Sequence, residues 1–479
     1  MLEYTVEGTV IGFPGEGFSI NLDAYQGDRA ARIDVSRDAA GMPGVSFERP
    51  PEICIEIPAR DVRVVKTGEA DDAGIQQIKR LVKPLDMSKV SIISRGENEA
   101  EVTAEFPADR IAAERAALEN RSGGKNTIIT DDIGRPSVMV RVPKFRWSDV
   151  YDGAGDEICS AFIAGGREVD HLYISKYLNI VEYGRAYSIY GRDPANSLTI
   201  DEAREACARK GRGWHLLTNA EWCAIAHLCE KRGIRPGGNT SKGSDALDPR
   251  ASGEPAQSGH RIDESITERT LTGTGPESWS HDGTAAGIYD MVGNVWEHVA
   301  GLRLVDGEIQ IIKDNDSALG VDESAQSGSW RAITRDGKLT GPGEPLTCKY
   351  DSLCMGSASL DIAALPQGFA LGTEVTRPQY TGENAGADGA YAVMPLRVLK
   401  TNGGFEPAAL LTKLGLAPVS GDSTDQLFFM RNYGERMPQR GGSWYDGAFA
   451  GMWELYMRDG RDYVYPDMGF RSAYVDISI

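Results

Sequence analysis

Two short motifs rich in glycine and aromatic residues constrain the fold of this chain most strongly. They are Gly293-Asn-Val-Trp-Glu297 and Arg440-Gly-Gly-Ser-Trp444, the second of which is closed by Gly469-Phe-Arg471. The glycines and Asn294 suit left-handed turns and close backbone approach, and the tryptophans are large anchors for a core. Such residues are more often structural than ligand-binding, so we predict a scaffold role. The predicted scaffold positions are Gly293, Asn294, Trp296, Arg440, Gly441, Gly442, Trp444, Gly469, Phe470 and Arg471.

Two helix starts precede these motifs. Thr199-Ile-Asp-Glu202 and Thr218-Asn-Ala-Glu221 are capping boxes, in which threonine and glutamate satisfy each other's backbone amides. The first helix is expected to run to Gly211. The second is expected to bury one stripe that begins at Trp222 and to end at Gly233. Two helices followed by a long glycine-rich region of strands and loops indicate an α+β fold.

The N-terminal part has a different character. Within about the first 85 residues, the segments 5–11, 18–22, 53–57 and 62–65 are rich in β-branched residues and are separated by Gly, Pro and Asp. They predict a small β-sandwich or barrel. A helix is expected over 108–120. We therefore predict a β-rich N-terminal module over 1–124, with a docking or spacer role, and a second domain over 125–479.

Three segments of the second domain resemble a known family. They are Ile163–Tyr177 with Gly213–Trp222, then Gly287–Glu297, then Arg440–Trp444 with Gly469–Ala473. Together they resemble the formylglycine-generating-enzyme (sulfatase-modifying-factor) branch of the C-type lectin fold. The resemblance covers about 137–479, less an insertion near 302–436, and it implies a C-type lectin fold for this domain.

The catalytic residues of that family do not accompany the resemblance. The active enzymes place two redox-active cysteines two and seven residues after the G-G-S-W motif, where this chain has Asp446 and Gly451. The six histidines show no metal-ligand spacing. We therefore predict a chain without catalytic residues. The alternatives are an enzyme of this type with replaced chemistry and a purely structural virion protein.

The segment 440–473 has a second, more particular resemblance. It is similar to the variable region of diversity-generating-retroelement variable proteins, in which a reverse transcriptase randomises chosen AAC-type codons. The resemblance implies a ligand-binding surface made of twelve variable positions, all of which we expect to face solvent on a rigid scaffold. Those positions are Ser443, Tyr445, Asp446, Phe449, Tyr456, Arg458, Asp459, Asp462, Tyr463, Tyr465, Pro466 and Asp467.

Residue types at these positions agree with that codon chemistry. Randomising the first two bases of an AAC codon cannot give Met, Trp, Lys, Gln or Glu, and no variable position holds one. Within 440–473 the excluded types occur only at other positions. Eight of the 27 residues in 444–470 are aromatic, against 8% of the whole chain. Tyrosine mixed with Ser, Asp, Arg and Gly is the chemistry of antibody paratopes, so we expect the tyrosines to face solvent and Trp444, Trp453 and Phe470 to be buried.

The insertion from about 302 to 436 is rich in Gly, Asp and Ser. Residues 301–312 predict a hairpin that turns at Asp306-Gly307. Loops of this length without a function are uncommon. One interpretation is that the insertion flanks the binding face or forms a wall of it.

Composition limits the partners and the location. A net charge of −19 argues against nucleic acid, because binding to phosphates needs clustered cations. No stretch is long and apolar enough for membrane insertion, and the N-terminus lacks the pattern of a signal peptide. We expect a chain made in the cytoplasm that acts in a phage tail or on a cell surface, with a protein or surface ligand. The sequence predicts no cofactor but leaves open a structural calcium ion, a homo-oligomer and a Cys348–Cys354 bridge among otherwise buried thiols.

Overall fold

The computed structural model describes residues 108–476 except 152–153, 257–267, 353–367, 376–390, 403 and 420–425, and before residue 108 it describes only strands. The chain forms two compact units, one of Met1–Ala117 with Thr130–Pro136 and one of Leu118–Ile129 with Ser137–Ile479. All the predicted scaffold and variable positions belong to the second unit.

Nine strands of the first unit form two sheets. They are β1 Thr5–Glu7, β2 Val10–Phe13, β3 Phe18–Asn21, β4 Ile33–Arg37, β5 Pro43–Phe47, β6 Cys54–Glu56, β7 Arg63–Thr67, β8 Val90–Ser94 and β9 Glu99–Ala104. The sheet orders are β1-β2-β3-β6 and β4-β5-β7-β9-β8. The segment 5–11, predicted as one strand, is two antiparallel strands with Val6 opposite Ile11. The sequence has a glycine between the two strands, and glycine weakens a strand.

The described α-helices are α1 Ala108–Ser122, α2 Trp147–Val150, α3 Ile200–Ala208, α4 Asn219–Arg232 and α5 Ala409–Lys413. The two capping boxes confirm the predicted starts of α3 and α4. Helix α3 ends at Ala208, about a turn before the predicted Gly211, and α4 ends at Gly233 in the left-handed conformation, as predicted. Most of α4 is buried on every side rather than along one stripe. The reason is that other segments cover its sides: the Trp222 indole donates to the carbonyl of Met452 at 2.7 Å.

The remaining described strands form three larger sheets and the two antiparallel pairs β12-β13 and β15-β16. The strands are β10 Asn126–Thr130, β11 Pro136–Pro143, β12 Ile163–Ala164, β13 Arg167–Glu168, β14 His171–Ser175, β15 Asn179–Glu182, β16 Arg185–Ser188, β17 Trp214–Leu216, β18 Trp296–His298, β19 Leu302–Val305, β20 Glu308–Ile311, β21 Arg331–Ile333, β22 Leu339–Thr340, β23 Lys349–Ser352, β24 Phe369–Gly372, β25 Tyr391–Pro395, β26 Lys400–Thr401, β27 Leu427–Arg431, β28 Glu435–Arg436, β29 Gln439–Arg440, β30 Leu455–Met457, β31 Met468–Phe470 and β32 Ser472–Tyr474. Strands β10-β11-β14-β32-β17 form a five-stranded sheet.

One six-stranded sheet, in the order β25-β27-β30-β29-β18-β31, joins the two sequence motifs. Glu297 pairs with Arg440, and Trp296 pairs with Met468. Strands β25 and β27 come from the insertion, and Phe429 of β27 pairs with Tyr456. We call this the motif sheet. The insertion therefore flanks the variable segment with strands of the same sheet.

The rest of the insertion builds a second sheet around the predicted hairpin. Strands β19 and β20 pair antiparallel. Their turn has Asp306 at φ 48° and Gly307 at φ 83°, as an Asp-Gly turn of this kind requires. Strands β21–β24, β26 and β28 extend this sheet. The chain is a β-rich α+β protein.

Five cysteines are buried free thiols in the part of the chain that has described side chains, namely Cys159, Cys207, Cys223, Cys229 and Cys348. This burial agrees with the prediction of thiols acting as small apolar residues. Cys354, which a bridge to Cys348 would need, lies outside the described residues. Among those residues, no helix is long and apolar enough to cross a membrane.

Candidate functional site

The first motif forms a left-handed turn in front of β18. Gly293 has φ 71° and Asn294 has φ 65°, a conformation that glycine and asparagine adopt most readily. A Cβ atom on Gly293 would lie against the backbone carbonyl of Asn239. The buried Asn294 amide accepts from the backbone nitrogen of Thr270 at 2.9 Å and donates to its carbonyl at 3.0 Å. These contacts confirm the predicted turn and set the direction of β18, which carries Trp296.

A buried ion pair connects the end of the first motif to the end of the second. The Nε and Nη2 atoms of Arg471 each lie 2.6 Å from an oxygen of Glu297, and both side chains are almost completely buried. The same guanidinium donates to the backbone carbonyls of Ser175, Tyr289 and Asp290. Arg471 therefore ties several loops together, as the sequence predicts.

The glycines of the second motif permit close packing. Gly441 has φ 92°, and a Cβ atom there would lie 2.6 Å from the carbonyl oxygen of Met291. Gly442 has φ 82° and lies against Ala450. Arg440 is fully buried and donates two hydrogen bonds, of 2.8 and 3.1 Å, to the side-chain oxygen of Asn219. The motif therefore packs closely at its glycines, and Arg440 is bonded to α4 through Asn219.

Trp296 lies at the centre of an aromatic group on the motif sheet. It is 2% exposed, and its ring centroid lies 5.3 Å from that of Tyr456 and 6.0 Å from that of Phe429. Phe449 and Tyr463 pack, partly buried, against the same group. Four of the predicted variable and scaffold aromatics are thus brought together with one ring from the insertion.

The variable positions fall into three classes of exposure. Tyr445, Asp462 and Tyr465 are exposed. Asp446, Phe449, Tyr456, Arg458, Asp459, Tyr463 and Pro466 are half-buried. Ser443 and Asp467 are buried. The residue types excluded at variable positions are all buried here, at Trp444, Met452, Trp453, Glu454, Met457 and Met468. Trp444, Trp453 and Phe470 are buried as predicted.

The expectation that every variable position faces solvent is wrong for two of them. The Ser443 hydroxyl donates to the carboxylate of Asp446 at 2.7 Å, and that carboxylate also accepts from the Ser443 backbone nitrogen. Asp467 holds Trp296 through a backbone bond of 2.7 Å and accepts a hydrogen bond from the Tyr445 hydroxyl. Both side chains are therefore buried because they form local polar contacts beneath the exposed residues.

The carboxylates of two variable positions, Asp446 and Asp467, have shifted pKa values. Burial raises the pKa of Asp446 to about 6, although hydrogen bonds from Ser443 and from the Trp296 indole oppose the shift. Burial also raises the pKa of Asp467 to about 6, with a further increase from the neighbouring charge of Asp446. Near neutral pH both groups are mainly ionised, but desolvation makes their charges costly.

Tyrosine rings cover the region around these carboxylates. Tyr445 and Tyr465 are about half exposed, at 48% and 45%. The rings of Tyr463 and Tyr465 are nearly parallel, with centroids 6.3 Å apart. The Tyr456 hydroxyl donates to Asp459 at 2.9 Å. Burial raises the pKa of Tyr463 to about 12, so this hydroxyl stays protonated. We call the surface formed by Tyr445, Asp446, Phe449, Tyr456, Asp459, Tyr463, Tyr465 and Asp467 the tyrosine surface.

A groove of about 490 Å³ runs beside residues 447–453 and is lined in part by α4. Gly451, at one of the two positions where the resembled enzymes have cysteine, lines it. Cys229 also lines this groove, but its thiol donates to the carbonyl of His281 at 3.1 Å, and burial raises its pKa to about 12. A thiol in this state is a poor nucleophile. In the part of the chain that the structure describes, no three His, Cys, Asp or Glu side chains are grouped to hold a metal ion.

Phe429 and Arg269 contribute to this region but were not predicted from the sequence. Phe429 lies in the apolar run Leu427–Arg431, a signal that was available but resembles any core strand. The Arg269 guanidinium forms two 2.9 Å bonds to Asp193 and one of 3.3 Å to the carbonyl of Pro466. It supports the end of the variable segment from a part of the chain that carries no motif.

Comparisons with known proteins give few matches. No family model matches the chain, and no curated protein matches its sequence. Among solved structures, it is similar to PvdO from Pseudomonas aeruginosa, with 13% identity and a TM-score of 0.28 over 73% of this chain and 98% of that chain. It is also similar to Treponema denticola variable protein 1, with 10% identity and a TM-score of 0.25 over 73% of this chain and 99% of that chain. Scores this low do not assign the chain to a fold family.

Proposed function

We propose that this chain is a non-catalytic ligand-binding protein whose tyrosine surface is diversified by a retroelement. The domain that carries the surface would have a C-type lectin fold of the formylglycine-generating-enzyme type. One observation carries the proposal. Ten of the twelve variable positions are at least partly exposed, whereas all five residues of the excluded types between them are buried. A segment that alternates in this way can vary its surface while its core stays constant.

The chemistry of the exposed positions supports a binding role. Tyrosine offers a large, rigid and amphipathic contact area at a low entropic cost, which is why it is enriched in paratopes. On this surface the Tyr445 and Tyr456 hydroxyls are held by Asp467 and Asp459. The rings are therefore ordered before a ligand arrives, and preordering reduces the entropy lost on binding.

The absence of enzyme activity is part of the same proposal. The positions of the two cysteines in the resembled enzymes are Asp446 and Gly451, and Cys229 in the adjacent groove is a buried thiol. We further propose that the ligand is a protein or another surface component and that the chain uses no resident cofactor. We also propose that the chain acts in a phage tail or on a cell surface.

The DNA around the gene tests the diversification. We expect a reverse-transcriptase gene close by, together with a near-copy of the codons for 440–473 that differs mainly where the copy has adenine. Sequencing the locus from related isolates should show substitutions concentrated at the twelve variable codons. Substitutions spread evenly over variable and scaffold codons would contradict the proposal.

Binding by the tyrosine surface is tested with a double substitution. We expect Tyr445→Ala with Tyr465→Ala to reduce binding at least about a hundredfold, because a few aromatic residues usually dominate the affinity of an interface. The full chain would be screened against bacterial surface preparations, and the variants would be compared on the preparation that binds. The matched control is Tyr190→Ala, which removes an exposed tyrosine (57%) outside the surface. Equal losses in the control and the double variant would place the binding elsewhere.

A further inference from the structure

Asp467 has a carboxylate oxygen that the fold does not satisfy. One oxygen accepts from the Tyr445 hydroxyl, whereas Oδ1 is buried and has no hydrogen-bond partner. The side chain as a whole is 1% exposed. A buried carboxylate oxygen without a partner is unfavourable, and native proteins rarely retain one without a reason. The residue bonded to the other oxygen, Tyr445, is 48% exposed, so Asp467 lies next to the solvent-facing part of the segment.

The charges around Asp467 are mainly negative. Asp446 and Asp459 both act on it electrostatically and raise its pKa. The Arg269 guanidinium, which bonds to the adjacent Pro466 carbonyl, is already paired with Asp193 through two bonds. The groups that face Asp467 or its two neighbouring carboxylates include Ser443, Tyr445, Tyr456, Tyr463, Trp296, Glu454, Arg436 and Arg458. Of these groups, Arg436 and Arg458 are cations, and Arg458 lies 3.9 Å from Asp459. The three carboxylates of Asp446, Asp459 and Asp467 therefore outnumber the two cations.

Aromatic rings stand beside this negative centre. Tyr445 is directly bonded to Asp467, and Tyr463 lies close enough for the Asp467 charge to raise its pKa. Tyr465 extends the ring surface outwards by stacking on Tyr463. The faces of tyrosine rings attract cations, and the attraction is stronger where water is partly excluded. Rings and carboxylates together favour a cation that has an apolar stem.

We propose that the tyrosine surface recognises a lysine or arginine side chain of a protein ligand, with its charge against Asp467 and Asp446 and its stem on the rings of Tyr445 and Tyr463. This inference rests on the proposed function, because it names the chemistry that the same surface binds. This recognition requires the half-exposed Tyr445, which is bonded to the other oxygen of Asp467, to move far enough to admit the cation to Oδ1. The net charge of −19 adds long-range attraction for a basic ligand.

The pH dependence of binding follows from the two carboxylates. Both have a pKa of about 6 in the free protein, raised mainly by burial. A cation binds the ionised form, so the affinity is highest above pH 6 and falls as protonation proceeds below it. Between pH 7.5 and pH 5, the ionised fraction of one such group falls about tenfold. The affinity for a basic ligand is expected to fall by at least that factor.

The test uses the full chain and short peptides that present arginine or, as the acidic counterpart, glutamate. Binding would be measured by tryptophan fluorescence and calorimetry in about 0.15 M salt. We expect the arginine peptide to bind at least about tenfold more tightly than the glutamate peptide, and Asp467→Asn to remove that preference. The matched control is Asp170→Asn, which removes the same charge from an exposed side chain (76%) outside the variable positions. It is expected to change the affinity less than about twofold.

A second variant separates recognition from folding. Tyr445→Phe keeps the ring but removes the hydroxyl that occupies Asp467, so we expect it to bind the arginine peptide at least as tightly as the parent chain. Weakening by Tyr445→Phe as large as that by Asp467→Asn would overturn the inference. Equal effects of Asp467→Asn and Asp170→Asn would also overturn it. If methylguanidinium bound as tightly as the arginine peptide, the part of the inference that assigns the cation to a protein ligand would be wrong.

The outcome also distinguishes this inference from the proposed function. If the peptides are not discriminated but the Tyr445→Ala, Tyr465→Ala variant still loses binding to the surface preparation, the cation inference fails and the binding surface stands. If that double variant binds normally, the proposed function itself fails.

Discussion

Replacing Arg471 with methionine is expected to lower the free energy of unfolding of the second unit by about 3–5 kcal/mol. The substitution leaves Glu297 buried without its partner and removes donors from the carbonyls of Ser175, Tyr289 and Asp290. A buried charge that loses its partner is far more costly than the pair is favourable. Chemical unfolding followed by tryptophan fluorescence measures the change. All eight tryptophans lie at or after residue 147, so the signal reports on this unit.

Two further variants make this result specific to the pair. Arg250→Met removes an exposed guanidinium (93% of the side chain) and is expected to change the free energy by less than about 0.5 kcal/mol. Adding Glu297→Gln to Arg471→Met should restore part of the loss, because it removes the unpaired charge. If Arg471→Met and Arg250→Met destabilised the protein equally, Arg471 would not be the tie between the motifs.

Replacing Trp296 with alanine is expected to cost about 3–5 kcal/mol, the usual range for a large aromatic residue removed from a core. Trp296 is 2% exposed, contacts the rings of Tyr456 and Phe429, and donates from its indole to Asp446. The cavity would lie directly beneath the tyrosine surface, so binding should be lost together with stability. Thermal and chemical unfolding of the same variant would measure both the melting temperature and the free energy.

Tyr465→Ser is the matched comparison for Trp296→Ala. It also changes an aromatic residue of the motif region, but Tyr465 is 45% exposed and mainly stacks on Tyr463. We expect a change within about 0.5 kcal/mol, as for most surface positions. The reverse ranking of the two variants would contradict the division into scaffold and display positions.

The local elements of the second unit were predictable from the sequence because their determinants are local. Thr199 and Thr218 begin their helices through capping boxes that span four residues. The Asp306-Gly307 turn requires two neighbouring residue types with positive φ. The left-handed turn at Gly293 and Asn294 is of the same kind. In each case the residues that cause the structure are the residues that adopt it.

Contacts between distant segments were not predictable in the same way. The pairing of Phe429 with Tyr456 joins the insertion to the variable segment in the motif sheet, and no periodicity in either segment specifies its partner. The burial of Asp467 depends on Tyr445 and on a backbone bond from Trp296. A pattern of codons can indicate which positions vary, but it contains no information about which of them the fold covers.

The buried state of Ser443 and Asp467 has a consequence for a randomised repertoire. Under the proposed diversification, both codons change as freely as those of the ten positions that are exposed or half-buried. A bulky residue at Ser443 or Asp467, however, meets a closed interior. Overpacking of this kind typically costs about 1–3 kcal/mol. Selection at these two sites would therefore act on folding before it acts on recognition. Among functional copies of the protein, we expect fewer residue types at Ser443 and Asp467 than at Tyr445 or Tyr465. This difference would arise even though the reverse transcriptase randomises all of these codons alike.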